Sequence, residues 1–178
     1  MAKRKHVRNK PRHIAKTTLL VVGEGPDDQA FIKHMNQQFK VEGTNIRPTI
    51  MKESGGSPGN IIANTTRKYR DSDYDKRYIV LDSDIPIDTS SRKLAQKKGY
   101  EIILWSPICL EGALLETLNE IVHPSETSQQ LKRRLHPMLW THHTEIKAYS
   151  KLFPKAVLEV SRNKSIQTVR SVLTDTKL

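Results

Sequence analysis

The stretch that decides the fold is Thr17–Phe31, TTLLVVGEGPDDQAF, together with Lys76–Pro86, KRYIVLDSDIP. Each begins as a run of β-branched and apolar residues bounded by polar ones, which is the pattern of a fully buried strand. Each run leads into carboxylates, which are Glu24, Asp28, Asp82 and Asp84. In an open parallel sheet, ligands bind beyond the carboxyl ends of the strands. Because carboxylates at close range repel each other, we expect a divalent cation to neutralise them there.

The order of the predicted elements indicates an α/β fold. The first strand, Thr17–Gly23, leads into a helix that begins at Pro26 and ends near Phe39, because proline suits the first helical turn. Further strands are predicted at Thr44–Met51, Arg77–Leu81 and Tyr100–Trp105, with helices at about Asn60–Tyr69 and Thr89–Lys98. Pro48 restricts the second strand to a sheet edge or a bulge. This alternation predicts a Rossmann-like, mainly parallel sheet of about four strands with helices on both faces.

The chain divides into three predicted segments. Residues 1–16 form a basic arm, residues 17–122 the α/β core, and residues 123–178 a helical C-terminal region packed on that core. Helices are expected within this region at Ser125–Leu139, Thr144–Leu152 and Ser165–Leu173. A chain of 178 residues suits one domain and can bury a core without disulfides or structural metal.

The charge of the chain points to a polyanionic partner. The formal net charge is +11 and the sequence pI is about 9.8, values typical of nucleic-acid-binding proteins. The arm, MAKRKHVRNKPRHIAK, has no acidic residue, and we expect it to be disordered and either to contact nucleic acid or only to increase solubility. Its basic residues are Lys3, Arg4, Lys5, Arg8, Lys10, Arg12 and Lys16.

The single cysteine, Cys109, excludes a disulfide framework within the chain and favours a reducing, cytoplasmic compartment. No apolar run is long enough to span a bilayer, and the charged N-terminus lacks the apolar segment of a secretory signal. We therefore expect neither a membrane segment nor a secretory signal.

The acidic residues suit metal chemistry by type and by spacing. Glu24 stands between two glycines, which allow a tight turn and close approach of a ligand to the backbone. Asp28 follows one helical turn later, and Asp82 and Asp84 form a D-x-D pair of hard oxygen ligands suited to Mg²⁺ or Mn²⁺. The structural alternative is that Glu24 and Asp28 stabilise a helix N-terminus and that Asp82 and Asp84 form a turn.

VVGEGPDD followed by VLDSD resembles the Toprim domain, whose signature is a glutamate after the first strand and D-x-D after a later one. The segments GGSPGN, SPICLEGALLETL, AYSK and NKSIQTVRSVL are similar to the RloB-like and OLD-type branch of Toprim nucleases. The resemblance implies a Toprim-like core and a metal-dependent nuclease acting on DNA or RNA, with a role in phage defence.

The resemblance also implies roles for individual residues. Glu24 becomes a general acid/base or metal ligand, and Lys151 or Lys164 would stabilise the charge of the transition state. The implied ligands of Mg²⁺ or Mn²⁺ are Glu24, Asp28, Asp82, Asp84 and Glu111. Glu111 could instead favour a helix N-terminus. OLD-type relatives carry or accompany an ATPase, and since no G-x-x-x-x-G-K-[ST] occurs here, such a motor would be a separate partner.

Two other functions stay open from the sequence. One is a nucleic-acid-binding regulatory subunit with a degenerate site, and the other is a haloacid-dehalogenase-like phosphatase with Asp82 as nucleophile and Asp84 as acid/base. The remaining candidates are interpreted structurally. His136, His142 and His143 lack the spacing of a zinc protease and are expected at the surface or in packing, and Trp105 and Trp140 in the core.

Overall fold

The computed structural model describes residues 17–40 and 46–176. The strands are β1 (Thr17–Gly23), β2 (Ile46–Lys52), β3 (Lys76–Asp82) and β4 (Tyr100–Trp105). They form one four-stranded sheet in the order β2-β1-β3-β4, and every neighbouring pair is parallel. The predicted α/β fold with a parallel sheet is confirmed, and β2 with its proline lies at an edge, as expected.

Helices flank the sheet and then continue beyond it. The helices that connect the strands are α1 (Pro26–Phe39), α2 (Pro58–Lys68) and α3 (Thr89–Lys97). After β4 come α4 (Leu110–Thr117), α5 (Ser128–Leu135), α6 (Lys155–Val160) and α7 (Lys164–Thr174). Short 3₁₀ helices lie at His136–Met138 and Ile146–Tyr149.

The C-terminal helices differ from the sequence prediction. The helix expected over Ser125–Leu139 is shorter, because the Thr127 hydroxyl accepts a hydrogen bond from the backbone N–H of Gln130 and so fixes the start of α5. The helix expected at Thr144–Leu152 is only a four-residue 3₁₀ turn, and α6 was not predicted.

Each face of the sheet packs against its own apolar layer. Side chains alternate along a strand, so Leu19 and Val21 of β1 face one layer and Leu20 and Val22 face the other. The first layer contains α1, α4 and the helices of residues 123–176, and the second contains α2 and α3. Residues 123–176 therefore share the core of α1 rather than forming one of their own.

An aromatic cluster joins the C-terminal region to the sheet. Phe31 of α1 meets Trp105, Tyr149 and Phe153 edge-on, at ring-centroid separations of 6.0, 5.3 and 6.0 Å. All four side chains are buried, and edge-to-face pairs at these distances add to the stability gained from area burial alone. The cluster fixes the C-terminal region against the helix that follows β1.

The two tryptophans differ in environment. Trp105 is buried, as predicted, but the prediction that Trp140 belongs to the core is wrong, because it is 50% exposed. Trp140 follows the first 3₁₀ helix, and its indole N–H donates a hydrogen bond to the carbonyl of Lys147 at 2.6 Å. No helix among the described residues has the length and apolar character needed to cross a membrane.

The turn between β1 and α1 requires glycine at position 23. A Cβ atom placed on Gly23 would lie 2.5 Å from Cβ of Asp28, so the strand and the first turn of α1 approach more closely than a larger residue allows. At Gly25 the nearest atom, Oδ2 of Asp28, would be 3.5 Å away, which is ordinary contact.

We expect Gly23→Ala to lower the free energy of unfolding by about 1–3 kcal/mol, because its methyl group forces β1 and α1 apart. Urea denaturation of the purified chain measures the change. Gly25→Ala is the matched control and should lose less. Equal losses in both variants would show that close packing at Gly23 does not determine the turn.

Candidate functional site

Four carboxylates converge at the carboxyl edge of the sheet, and we call them the carboxylate cluster. Glu24 follows β1, Asp28 lies in the first turn of α1, Asp82 ends β3 and Glu111 lies in the first turn of α4. The two strands are direct neighbours, with Gly23 in register with Val80. The topology therefore brings acids from distant parts of the sequence to one edge.

A hydrogen bond between neighbouring strand ends holds Glu24 and Asp82 together. The backbone N–H of Asp82 donates to Oε2 of Glu24 at 3.0 Å. In turn, Oδ1 of Asp82 accepts a hydrogen bond from the backbone N–H of Leu110 at 3.1 Å, at the start of α4. Each carboxylate is thus oriented by a backbone amide, and one chain of contacts links the ends of β1 and β3 to α4.

Asp28 combines a structural role with its place in the cluster. Its Oδ2 accepts a hydrogen bond from the N–H of Gly25 at 2.9 Å, so the interpretation as an N-terminal helix cap is correct. Its Oδ1 accepts from the indole N–H of Trp105 at 2.6 Å, a bond that also ties α1 to the end of β4. The side chain is buried, and both of its oxygens are engaged.

The environment of the carboxylate cluster disfavours the charged forms of Asp82 and Asp28. Burial, and then the charges of Asp28 and Glu24, raise the pKa of Asp82 to about 9. Burial also raises the pKa of Asp28 to about 7, although the hydrogen bonds from Trp105 and Gly25 oppose the shift. These shifts follow from desolvation and like charges at one site, and a divalent cation bound there would favour the charged carboxylates.

Glu111 has partners that the other acids lack. Burial raises its pKa, but the hydrogen bond from His136 and the charge of Lys132 outweigh burial, so its pKa lies below the usual range. Nε2 of His136 donates to Oε1 of Glu111 at 2.9 Å. Burial lowers the pKa of Lys132, yet the charges of Glu111, Asp82 and Asp27 leave it raised, so these acids act on its ammonium group through their charge.

Lys132 was missed from the sequence. The resemblance pointed to Lys151 and Lys164, which are exposed, whereas Lys132 on α5 is partly buried. The ammonium group of Lys151 lies 4.9 Å from the ring centroid of Trp140, and Lys164 is the first residue of α7. Nothing in SQQLKRRL distinguishes Lys132 from the neighbouring basic residues, because its role depends on how α5 packs on α4.

Two histidines also reach the edge of the carboxylate cluster. Nδ1 of His143 donates to Oδ1 of Asp27 at 2.7 Å, and the rings of His136 and His143 stack with centroids 4.1 Å apart. Sequence reasoning expected these histidines at the surface or in packing and did not connect them with Asp27. A separation of 116 residues between Asp27 and His143 gives no local signal.

The remaining predicted site residues are Asp84 and the basic residues of the arm. Asp84 is exposed in the loop after β3, and its carboxylate accepts a hydrogen bond from the hydroxyl of Ser128 at the start of α5. The predicted nucleic-acid-binding residues of the arm all lie outside the described residues, and these are Lys3, Arg4, Lys5, Arg8, Lys10, Arg12 and Lys16.

The carboxylate cluster offers oxygen ligands of the type that a hard divalent cation takes, although no three of its acids, which all lie in the described part of the chain, bring ligand atoms within 4.8 Å of one another. Carboxylate oxygens are the ligands that Mg²⁺ and Mn²⁺ prefer. Among the described residues, hydrogen bonds engage only one oxygen each of Glu24 and Asp82, which leaves Oε1 and Oδ2 available to a cation. Both oxygens of Asp28 are already engaged, so Glu24 and Asp82 are the better placed ligands.

Comparisons with known proteins add no relative. No protein-family model matches the chain, and neither the search of curated proteins nor the search of solved structures returns a match.

We expect the chelator-treated protein to lose thermal stability as the pH rises from about 5 to about 9. A carboxyl group whose pKa is raised on folding stabilises the fold most below its unfolded pKa, and that contribution is lost as the pH rises through its folded pKa. For Asp82 the window extends from its usual pKa of 3.8 to about 9. Unfolding midpoints measured across this range give the slope.

Asp82→Asn should flatten the slope of the thermal unfolding midpoint against pH, because the amide does not titrate. Added Mg²⁺ should restore the unfolding midpoint of the unmodified protein at high pH. Asp73→Asn, in the exposed loop before β3, is the matched control and should keep the full slope. An unchanged slope in Asp82→Asn would contradict the electrostatic description of the cluster.

Proposed function

We propose that this chain is a divalent-metal-dependent hydrolase of phosphodiester bonds in nucleic acid. The observation that carries the proposal is the meeting of Glu24 and Asp82 at the ends of neighbouring parallel strands, each oriented by a backbone N–H and each with one oxygen left for a cation. Paired acids of this kind at a sheet edge suit the binding of Mg²⁺ or Mn²⁺.

The residues in and around the carboxylate cluster have different roles in the proposed reaction. Glu24 and Asp82 would hold the cation, which when bound makes a coordinated water more acidic and neutralises charge that develops on the phosphate. Asp28, held by Trp105 and Gly25, fixes the first turn of α1 against the strand ends. Lys132 adds a positive charge on the α5 side of the cluster, where it would attract a phosphate group.

An exposed aromatic residue and nearby lysines favour a nucleic acid as the substrate. Trp140 is 50% exposed, and the ammonium groups of Lys147 and Lys151 lie 5.7 and 4.9 Å from its ring centroid. It lies three residues before His143, whose side chain contacts the first turn of α1. Aromatic rings beside flexible basic side chains bind single-stranded nucleic acid by stacking on bases and pairing with phosphates.

The likeness of the acidic motifs to Toprim nucleases agrees with this chemistry and extends the proposal. By that likeness, the chain would act in phage defence on DNA or RNA, beside a separate ATPase subunit. The net charge of +11 and the basic residues of the arm support binding of a polyanion. The buried, single Cys109 is consistent with a reducing compartment.

We expect the full chain to cleave plasmid, single-stranded DNA or structured RNA only when Mg²⁺ or Mn²⁺ is present. Glu24→Gln and Asp82→Asn should each reduce the rate by on the order of 100-fold, because each removes a charged ligand. Asp73→Asn has the same charge change outside the cluster and should retain full activity.

Cleavage that survives in both cluster variants would overturn the proposal. Salt-sensitive binding without turnover in the wild-type chain would indicate a regulatory subunit instead. Metal-dependent release of phosphate from a monoester, without cleavage of any polynucleotide, would indicate a phosphatase.

We expect Trp140→Ala to weaken binding of single-stranded DNA or RNA by roughly 5- to 100-fold, since stacking on one base contributes about 1–3 kcal/mol. Trp140→Phe keeps an aromatic face and should recover much of the affinity. Fluorescence anisotropy with a labelled oligonucleotide in buffer without Mg²⁺ or Mn²⁺, where no cleavage is expected, measures the affinity. Equal binding by Trp140→Ala and the wild-type chain would remove Trp140 from the substrate path.

A further inference from the structure

We propose that Asp27, His136 and His143, which we call the histidine cluster, form a second metal site that takes a divalent transition metal such as Zn²⁺. The site is distinct in chemistry from the carboxylate cluster and does not depend on the proposed nuclease activity. Its metal would be bound by two imidazoles and one carboxylate, whereas the carboxylate cluster offers oxygen alone.

The three residues are already close enough for small side-chain adjustments to complete a site. One potential ligand atom from each lies within 4.8 Å of those of the other two. Ligand atoms around a tetrahedral Zn²⁺ are about 3.3 Å apart, as follows from metal–nitrogen bonds of about 2.0 Å. The Asp27 carboxylate and the His143 ring are already in contact at 2.7 Å, and the stacked rings of His136 and His143 would have to turn for both to direct a nitrogen at one ion.

The backbone positions of the cluster are fixed by ordered contacts. Asp27 lies in the first turn of α1, and His136 directly follows α5. The loop that contains His143 is anchored to the buried Tyr149, because the Tyr149 hydroxyl donates a hydrogen bond to the His143 carbonyl at 2.7 Å. Three separate elements therefore present their ligands from anchored positions, which is what a metal site on a rigid scaffold needs.

The exposure of the side chains suits entry of an ion. The side chains of Asp27, His136 and His143 are 17%, 23% and 29% exposed. They are shielded enough to bind an ion without a full hydration shell, yet each remains accessible from solvent. This partial exposure leaves room for a water or a substrate atom as the fourth ligand, as in catalytic zinc sites.

Glu111 supplies the outer-shell partner that metal-binding histidines usually have. Nε2 of His136 donates to Oε1 of Glu111, whose side chain is only 3% exposed. A carboxylate in this position fixes the ring orientation and increases the basicity of the other ring nitrogen. Because Glu111 also belongs to the carboxylate cluster, it joins the two sites through one buried side chain.

The imidazole nitrogens of the histidine cluster favour a transition metal over Mg²⁺ or Ca²⁺. Mg²⁺ and Ca²⁺ prefer oxygen ligands, whereas imidazole suits Zn²⁺ and other transition metals. The hydrogen bond between Asp27 and His143 holds the two side chains together. An ion bound by both replaces that hydrogen bond. The alternative is that this bond and the stacking of the rings are the whole purpose of the cluster.

The test is titration of the chelator-treated full chain with Co²⁺, whose visible absorption reports ligand number and type. We expect a saturable absorption signal from low-coordinate Co²⁺ that Zn²⁺ displaces and that excess Mg²⁺ does not. His143→Ala and Asp27→Asn should each weaken Co²⁺ binding at least about 10-fold. Asp27→Asn preserves shape, so it keeps the test decisive if the histidine variant folds poorly by circular dichroism.

Two controls separate this site from other binding. His123→Ala removes an exposed histidine outside the cluster and should leave the titration unchanged. Asp82→Asn disables the carboxylate cluster and should also leave Co²⁺ binding in place, so failure of the nuclease proposal does not affect the result. Loss of the signal in Asp82→Asn with retention in Asp27→Asn would overturn the assignment, as would a wild-type chain without a Zn²⁺-displaceable signal.

Discussion

The structure depends on one electrostatic constraint, which is the gathering of acidic side chains at the carboxyl edge of a buried parallel sheet. The amide of Asp82 donates to Glu24, and the amide of Leu110 donates to Asp82, so backbone groups at three element ends orient these side chains. Burial, and then the nearby charges of Asp28 and Glu24, raise the pKa of Asp82 to about 9. A divalent cation held between Glu24 and Asp82, as proposed above, would offset the cost of the charged form of Asp82.

The C-terminal region supplies what the sheet edge lacks, namely positive charge, imidazole and an exposed aromatic ring. It can do so because its own apolar side chains pack into the layer beneath α1, where Tyr149 and Phe153 contact Phe31. With that packing fixed, α5 and the loop that follows it bring Lys132, His136 and His143 around the acids. Stability and site assembly therefore depend on the same contacts.

The sequence predicted the sheet and half of the site for a clear reason. Buried strands have a strong local pattern, and the rule that parallel strands end at one edge brings Glu24 and Asp82 together without further information. Asp84 was grouped with Asp82, but β3 ends at Asp82, so strand alternation no longer governs where Asp84 points. The positions of Lys132 and His136 near the acids depend on packing between distant segments, and so does the hydrogen bond between Trp105 and Asp28. Periodicity and spacing in the sequence do not encode such packing.

The most direct measurement is the anomalous scattering of a crystal of the full chain soaked in Mn²⁺. We predict an anomalous peak within bonding distance of the carboxylates of Glu24 and Asp82. A crystal at saturating Mn²⁺ with no peak between Glu24 and Asp82 would contradict the central claim that these acids converge to hold a cation.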